Sequence, residues 1–347
     1  MASWGAWPRG AVAGFACGAV AVLAACSAGP KPSPAPAAAT SSAARPTPAA
    51  TASPSGSAGP AAPLTGLAVT AAVAQRPAVA VVVSGAAPAG LGSADLVFAE
   101  MSSPVRYLAV FQSAEADVGP VTSTRPMDGQ ALSVLHPLTG YAGGTSSFIS
   151  VLDATKIVDA GYAGHASLYS SGPGGLTVST AALAAADRSD GPPPPLFSYR
   201  QPGEPLASAG QTHPTSVRLY VPGQPAQQWS FDARSGRWVQ TAGGPRVRVA
   251  NLVVQIVPFK TVYLSRKLGQ TTRSARVIGT GPAAVFSGLA SGGAGGSAAA
   301  AAGSWAKPGL AAVTNYFDAA QLPMDFAPGP TWIVLAPAGT RISPAGG

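Results

Sequence analysis

Apolar residues fall into three regimes along the chain. Residues 11–25 form one nearly unbroken apolar run. From Ser27 to about Pro63 the chain is Ala, Pro, Ser, Thr and Gly with almost no large apolar side chain. From Leu64 onward apolar residues return in short clusters separated by turn-forming residues. Among these, 79–83 is a continuous run of Val and Ala, the pattern of a strand covered on both faces. Residues 95–101 and 107–111 predict two further strands. Over 148–158 the positions of Phe148, Ile149, Leu152, Ile157 and Val158 predict a helix with one face packed inward. A second helix is predicted over 178–186, where alanines favour it and Ser179 or Thr180 is placed to cap it.

After the prolines Pro192 to Pro195 the pattern changes. Short strand-like runs occur at 217–221, 228–231, 237–240, 251–257, 261–264, 277–280, 284–286 and 332–335, with no convincing helix between them. Residues 287–303 are nearly pure Gly, Ala and Ser and predict a flexible loop inside this half. The expected fold is therefore a mixed α/β N-terminal domain over 64–210, followed by a β-rich antiparallel C-terminal domain over 211–347. A structured part of this length exceeds the usual size of one domain.

The first run carries an address. It is about 15 residues long, which suits a signal peptide and is short for a membrane span of about 20. It closes on Leu23-Ala24-Ala25-Cys26, an aliphatic residue, two small residues and a cysteine, the form of a bacterial lipobox. The small residues admit the backbone to a peptidase cleft, and the Cys26 thiol is the nucleophile that takes the lipid. Residues 1–25 are thus expected to be a lipoprotein signal peptide and 26–63 a disordered Pro/Ala/Ser-rich tether, too poor in apolar surface to offset ordering entropy. Cys17 lies within the signal and would leave with it, so Cys26 has no intramolecular disulfide partner. The expected location is the extracytoplasmic face of the cell membrane.

Charge divides as unevenly as the hydrophobic pattern. Residues 64–210 hold ten acids against six bases, and 211–347 three acids against twelve bases. The net charge of +8 is an average over an acidic and a basic half. No acid lies between Asp232 and Asp318, where Arg246, Arg248, Arg266, Lys267, Arg273 and Arg276 make a candidate patch for anionic surfaces. Arg246 and Arg248 are two apart and share a face if their segment is extended. Nucleic acid is not the expected partner of an exported protein; membrane headgroups, anionic wall polymer or other envelope proteins are.

Chemical motifs are sparse. The three histidines, His136, His165 and His213, and the absence of ligand-spaced cysteines set a structural zinc site aside, and there is no phosphate loop or Gly-x-Ser-x-Gly turn. No cofactor is expected. A Ser–His–Asp triad assembled by folding stays open. Asp95, Glu100, Arg106 and Arg125 lie at the ends of apolar runs, and His165 lies between Tyr162 and Tyr169, so these five make a candidate ligand pocket. Each also has a structural alternative as a strand start, an ion pair or a backbone contact.

With these residues in view, the chain resembles the YerB-like bacterial lipoproteins, a family whose domain has no assigned function. The resemblance runs in order through Pro63-Leu64-Thr65-Gly66-Leu67, Arg76-Pro77, Ala94-Asp95-Leu96-Val97-Phe98, Arg106 to Gln112, and Gly119 to Pro126. It continues through Pro193 to Phe197, Asn251 to Gln255, Gly279 to Pro282, Gly303-Ser304-Trp305, Phe317-Asp318 and Pro328 to Trp332. It implies an exported lipoprotein with an α/β domain followed by a β-rich one, and it implies no catalytic mechanism. The chain departs from the family pattern at Ser84-Gly85, Ser102-Ser103-Pro104, Thr122 and around His165. The expected function is a non-enzymatic binding or scaffold lipoprotein, with a link to cell-wall assembly. The rival is an enzyme acting on a wall glycan or peptide through Asp95 and Glu100, which requires the two carboxylates about 5–9.5 Å apart.

Overall fold

The computed structural model describes residues 59–346 apart from 156, 173, 187–190 and 290–295. Cys26, the apolar run before it and most of the expected tether lie outside the described residues. In the first half the strands are β1 (Val79–Ser84), β2 (Leu96–Glu100), β3 (Arg106–Phe111), β4 (Asp117–Val118), β5 (Leu138–Gly140), β6 (Val158–Asp159), β7 (Tyr169–Gly172) and β8 (Gly175–Ser179). The helices are α1 (Ala71–Ala74), α2 (Pro126–Leu132), α3 (Ser146–Asp153), α4 (Tyr162–His165) and α5 (Thr180–Ala186). Among the described residues of the second half the elements are all strands: β9 (Ser216–Tyr220), β10 (Gln227–Asp232), β11 (Arg237–Ala242), β12 (Arg248–Val249), β13 (Asn251–Ile256), β14 (Phe259–Ser265), β15 (Gln270–Ala275), β16 (Gly279–Leu289), β17 (Ser297–Lys307), β18 (Asn315–Asp318), β19 (Thr331–Ala336) and β20 (Arg341–Ala345).

Both halves build one sheet. Its ten strands run in the order β18-β17-β16-β13-β19-β2-β3-β1-β5-β6. The boundary near residue 210 therefore divides the sequence but not this sheet. Strand β19 joins the halves, pairing in parallel with β13 on one side and β2 on the other. Because β1, β5 and β6 also run parallel, all these strands end on one edge. The second half is thus mostly but not purely antiparallel: β13, β16, β17 and β18 pair antiparallel within this sheet, as do β14 with β15 and the strands of a five-stranded sheet, β12-β11-β10-β9-β20, while β19 pairs in parallel.

Side-chain alternation assigns each strand's residues to two cores. Val79, Val81 and Val83 join Val97, Tyr107, Trp332 and Phe286 on the face covered by the five-stranded sheet, whose Trp229 and Trp238 are buried. Trp332 meets Trp229 at 5.9 Å and Tyr107 at 5.6 Å between ring centroids, and Trp238 meets Phe286 edge-on at 5.6 Å. Ala80, Val82, Leu96, Phe98, Leu108 and Ile333 point the other way, onto Met127, Ala131 and Leu132 of α2 and Leu152 of α3. Two covered faces explain why 79–83 reads as an unbroken apolar run.

Several sequence expectations need correction. The first half is less helical than a mixed α/β domain, for its helices are only four to eight residues long. The helix expected over 148–158 ends at Asp153, where Thr155 Oγ1 bonds back to the Leu152 carbonyl, and Val158 instead pairs with Leu138. In the other predicted helix, Val178 lies on β8 and α5 begins at Thr180. The Thr180 hydroxyl accepts from Ala116 N–H rather than from its own helix.

The largest correction concerns 287–303. Among its described residues, Ser287 to Leu289 complete β16 and Ser297 to Gly303 open β17. These two strands pair along their whole length, and Ala298, Ala299, Ala300 and Ala301 are buried. Small residues here permit close layers. Gly288 touches the backbone of Gly236, and Gly303 touches the carbonyl of Phe317 on β18, so that a Cβ at either would collide with main chain.

That reading separates a packed strand from a loop. Gly303→Ala is expected to destabilise by about 2 kcal/mol, as overpacking does. The control Gly309→Ala, where a Cβ meets nothing within 4 Å, should stay within about 0.5 kcal/mol. Urea unfolding measures both; equal tolerance at the two positions would contradict the strand.

Candidate functional site

The common edge of the parallel strands gathers the polar residues. Alternation along β2 and β3 points Glu100 and Arg106 onto the α2 face, and register places them directly opposite each other. Arg106 Nη1 donates to Glu100 Oε2 at 2.6 Å. Its other terminal nitrogen donates to Asp128 Oδ2 at 2.8 Å and to the Ser123 carbonyl at 2.9 Å. Glu100 and Asp128 are wholly buried and Arg106 is 2% exposed.

Asp128 stands at the third position of α2, after Pro126 at the first. Its Oδ2 accepts from Arg125 N–H at 2.8 Å and from Thr124 Oγ1 at 3.1 Å, so one carboxylate both starts the helix and receives the arginine. Arg125 Nη1 lies 3.5 Å from Glu100 Oε2 and donates to Ser102 Oγ at 3.0 Å and to the Arg273 carbonyl at 3.2 Å. The free oxygen of Glu100 accepts from Ala275 N–H at 2.8 Å. Burial alone would pull the Arg106 guanidinium down, but Asp128 and Glu100 outweigh it and hold it above its ordinary value. Arg125 is pushed down, first by burial and then by Arg106, with the two carboxylates opposing.

Next to this cluster the edge opens into a groove of about 820 Å³. Its walls are the ends of β2 and β13, the start of β16, the loops after β9 and β19, and one side of the β14–β15 hairpin from Phe259 to Thr271. Ser102, Ser103, Thr261, Thr271, Thr272 and Thr280 offer hydroxyls, beside Gln224, Phe259 and four prolines. Gln224 Nε2 donates to the Ser102 carbonyl at 2.8 Å. Among the described residues that line the groove, Arg273 carries the only charge, its guanidinium 5.4 Å from the centre of the Phe259 ring. A site of this volume and lining suits a hydroxyl-rich ligand bearing an anionic group.

The five residues expected to share a pocket lie in three places. Glu100, Arg106 and Arg125 meet, but as a buried network behind the groove wall rather than as its lining. Asp95 lies at the other end of β2, about 16 Å away at strand rise. It is buried and accepts from Gln112 N–H at 2.6 Å, Ser113 N–H at 2.7 Å and the Ser113 hydroxyl. Burial pushes its carboxyl up against the opposing bonds from Ser113 and Gln112. Asp95 and Glu100 therefore do not form the carboxylate pair of a glycosidase, being too far apart and each committed to partners. His165 ends α4 beyond β6, three strands or about 14 Å from β3 in the sheet order, and its buried Nδ1 has no hydrogen-bond partner among the described residues. Ser84, Gly85, Ser102, Ser103 and Thr122, where the chain departs from the family pattern, do lie on this edge.

The six bases expected to form one patch lie in three places. Arg246 and Arg248 flank buried Val247 and are both exposed beside the five-stranded sheet, where Arg248 pairs with Asp232 at 3.4 Å. Arg266 and Lys267 stand at the tip of the β14–β15 hairpin, and Arg273 and Arg276 near its foot. Sequence reading missed Asp128, although an acid three residues after Arg125 and two after Pro126 is a helix-start signal. Among the described residues no group of three or more His, Cys, Asp or Glu side chains is placed to hold a metal ion, and no helix is long and apolar enough to cross a membrane.

Residues 64–174 match the N-terminal domain, and residues 217–333 the C-terminal domain, of the family described as protein of unknown function DUF3048. The chain belongs to this family. The crystal structure of YerB from Bacillus subtilis is similar, with a TM-score of 0.63 at 19% identity over 82% of this chain and 99% of that one. At that identity the likeness speaks for the fold. Among curated proteins none matches the chain.

The cluster ranks its own substitutions. Arg106→Met leaves two carboxylates buried without their shared partner and is expected to cost about 3–5 kcal/mol. Arg125→Met leaves Arg106 between both carboxylates and should cost about 1–2 kcal/mol. Chemical denaturation measures both; an Arg106→Met loss no larger than that of Arg125→Met would contradict the assignment of Arg106 as the centre.

Proposed function

We propose that this member of the DUF3048 family is an exported, lipid-anchored envelope protein that binds anionic wall polymer in the groove, without catalysing a reaction. The groove carries the reading. Its hydroxyl and amide groups match the hydroxyls of a glycan, its prolines and Phe259 offer flat apolar surface to sugar rings, and Arg273 meets a carboxylate or phosphate. The nearest carboxylates are engaged in the buried cluster, which favours binding over acid–base work. The lipobox-like Leu23-Ala24-Ala25-Cys26 supports the address.

Two measurements test the two parts separately. Cys26→Ser is expected to abolish metabolic labelling by a lipid probe and to release the protein from the membrane fraction; unchanged labelling would overturn the anchor. In calorimetric titration with soluble wall-glycan fragments bearing carboxylates, Arg273→Ala should weaken binding about tenfold, the loss of one charged hydrogen bond. Arg234→Ala, on an exposed turn after β10, should leave it unchanged. Equal effects of the two, or no binding by the unaltered protein, would overturn the groove assignment.

A further inference from the structure

The β14–β15 hairpin forms a two-stranded sheet of its own, outside the larger sheets. Its tip carries Tyr263, Leu264 and Leu268 at 46%, 39% and 69% exposure, three of the four most exposed large apolar side chains among the described residues. Arg266 and Lys267 lie between them, both exposed and neither in an ion pair among the described residues. The turn is nonetheless ordered. Leu268 N–H donates to Ser265 Oγ at 3.2 Å, Gly269 N–H donates to the Arg266 carbonyl at 3.3 Å, and Gly269 supplies the left-handed backbone at φ 64°. The Arg266 guanidinium stacks on the Tyr263 ring at 4.9 Å.

We infer that this tip docks into the headgroup layer of an anionic membrane, an inference that rests on the extracytoplasmic address proposed above. The chemistry is complementary. Leu268 and Leu264 gain by leaving water at the acyl boundary, while the aliphatic stems of Arg266 and Lys267 follow them and return their charges to lipid phosphates. Each cation near such a surface raises partitioning about fivefold. Nothing acidic on the hairpin opposes it, for no acid lies between Asp232 and Asp318. At its foot Glu100 is buried and paired, and Asp153 lies at the end of α3 away from Thr145, Ser146 and Phe148, which face the hairpin. A stable protein partner needs about 800 Å² on each side, more than a six-residue tip presents.

The test uses the chain from Ser27, which lacks Cys26 and any anchor. Residues 59–346 carry both cores, so the truncation removes none of the described contacts. Co-sedimentation is measured with vesicles of phosphatidylcholine alone or mixed with phosphatidylglycerol, across a salt series. Binding is expected on the anionic vesicles at low salt and is lost as salt rises. The double variant Arg266→Gln, Lys267→Gln should weaken it about 25-fold, and Leu268→Ser about tenfold. Arg246→Gln, which removes one such charge beside the other sheet, should leave binding unchanged, where each tip charge is expected to matter about fivefold, and the thermal midpoints of all variants should coincide. Absence of binding to anionic vesicles, or an equal loss with Arg246→Gln, would overturn the inference. Tip-dependent binding to a soluble polyanion with none to vesicles would assign the tip to a polymer and overturn it too. Because this chain carries no lipid, failure here is distinguishable from failure of the Cys26 labelling.

Discussion

Arg106, clamped between Glu100 and Asp128 in a space closed to water, is the constraint on which the edge beside the groove depends. Its three hydrogen bonds tie the end of β2, the start of β3 and the first turn of α2 into one unit. Through Glu100 the same unit reaches Ala275, and through Arg125 it reaches Ser102 and the Arg273 carbonyl. Those last residues are groove wall and hairpin foot. A buried ion network is weak evidence for net stability, because desolvation offsets much of its attraction. What it supplies is position: once buried, each charge holds its partners where they are. The cluster thus acts as a fixed frame for the groove wall.

The packing of small residues serves the same edge from the other side. Glycine on β17 lets β18 pair closely beside it, and Gly288 on β16 lets the sheet approach the β10–β11 turn. The aromatic residues Trp229, Trp238, Trp332 and Phe286 fill the wider space between the two large sheets. A rigid sheet covered on both faces leaves its edge and the projecting hairpin as the places where a ligand or surface can be met. The carboxyl ends of parallel strands are where open sheets most often present ligand sites.

Much of this was legible in the residues, and the misses have physical causes. The run 79–83 declares a doubly covered strand because β-branched side chains without alternation have no solvent face. Glu100, Arg106 and Arg125 stood out as charges at the ends of apolar runs, and they do meet. Asp95 and Glu100 looked equivalent by the same rule, yet a strand carries its two ends to opposite edges of a sheet. Register with β3, which sequence alone does not fix, decides which end joins Arg106. The segment 287–303 was misread because composition reports flexibility in isolation, whereas burial against flat neighbours makes small side chains the ones that fit. The shared sheet was also hidden, since the parallel pairing of β2 with β19 spans most of the chain.

Hydrogen exchange in Arg125→Met tests the central claim most directly. This variant keeps Arg106 between its two carboxylates and removes the arms that reach Ser102 and the Arg273 carbonyl, together with the longer 3.5 Å contact to Glu100. If the cluster frames the groove, amides of β15 near Arg273 exchange about tenfold faster, matching the loss of a charged hydrogen bond. Val253 and Val254 in β13 keep their protection. Unchanged exchange in β15, or a uniform loss across β13 and β15 alike, would contradict the account.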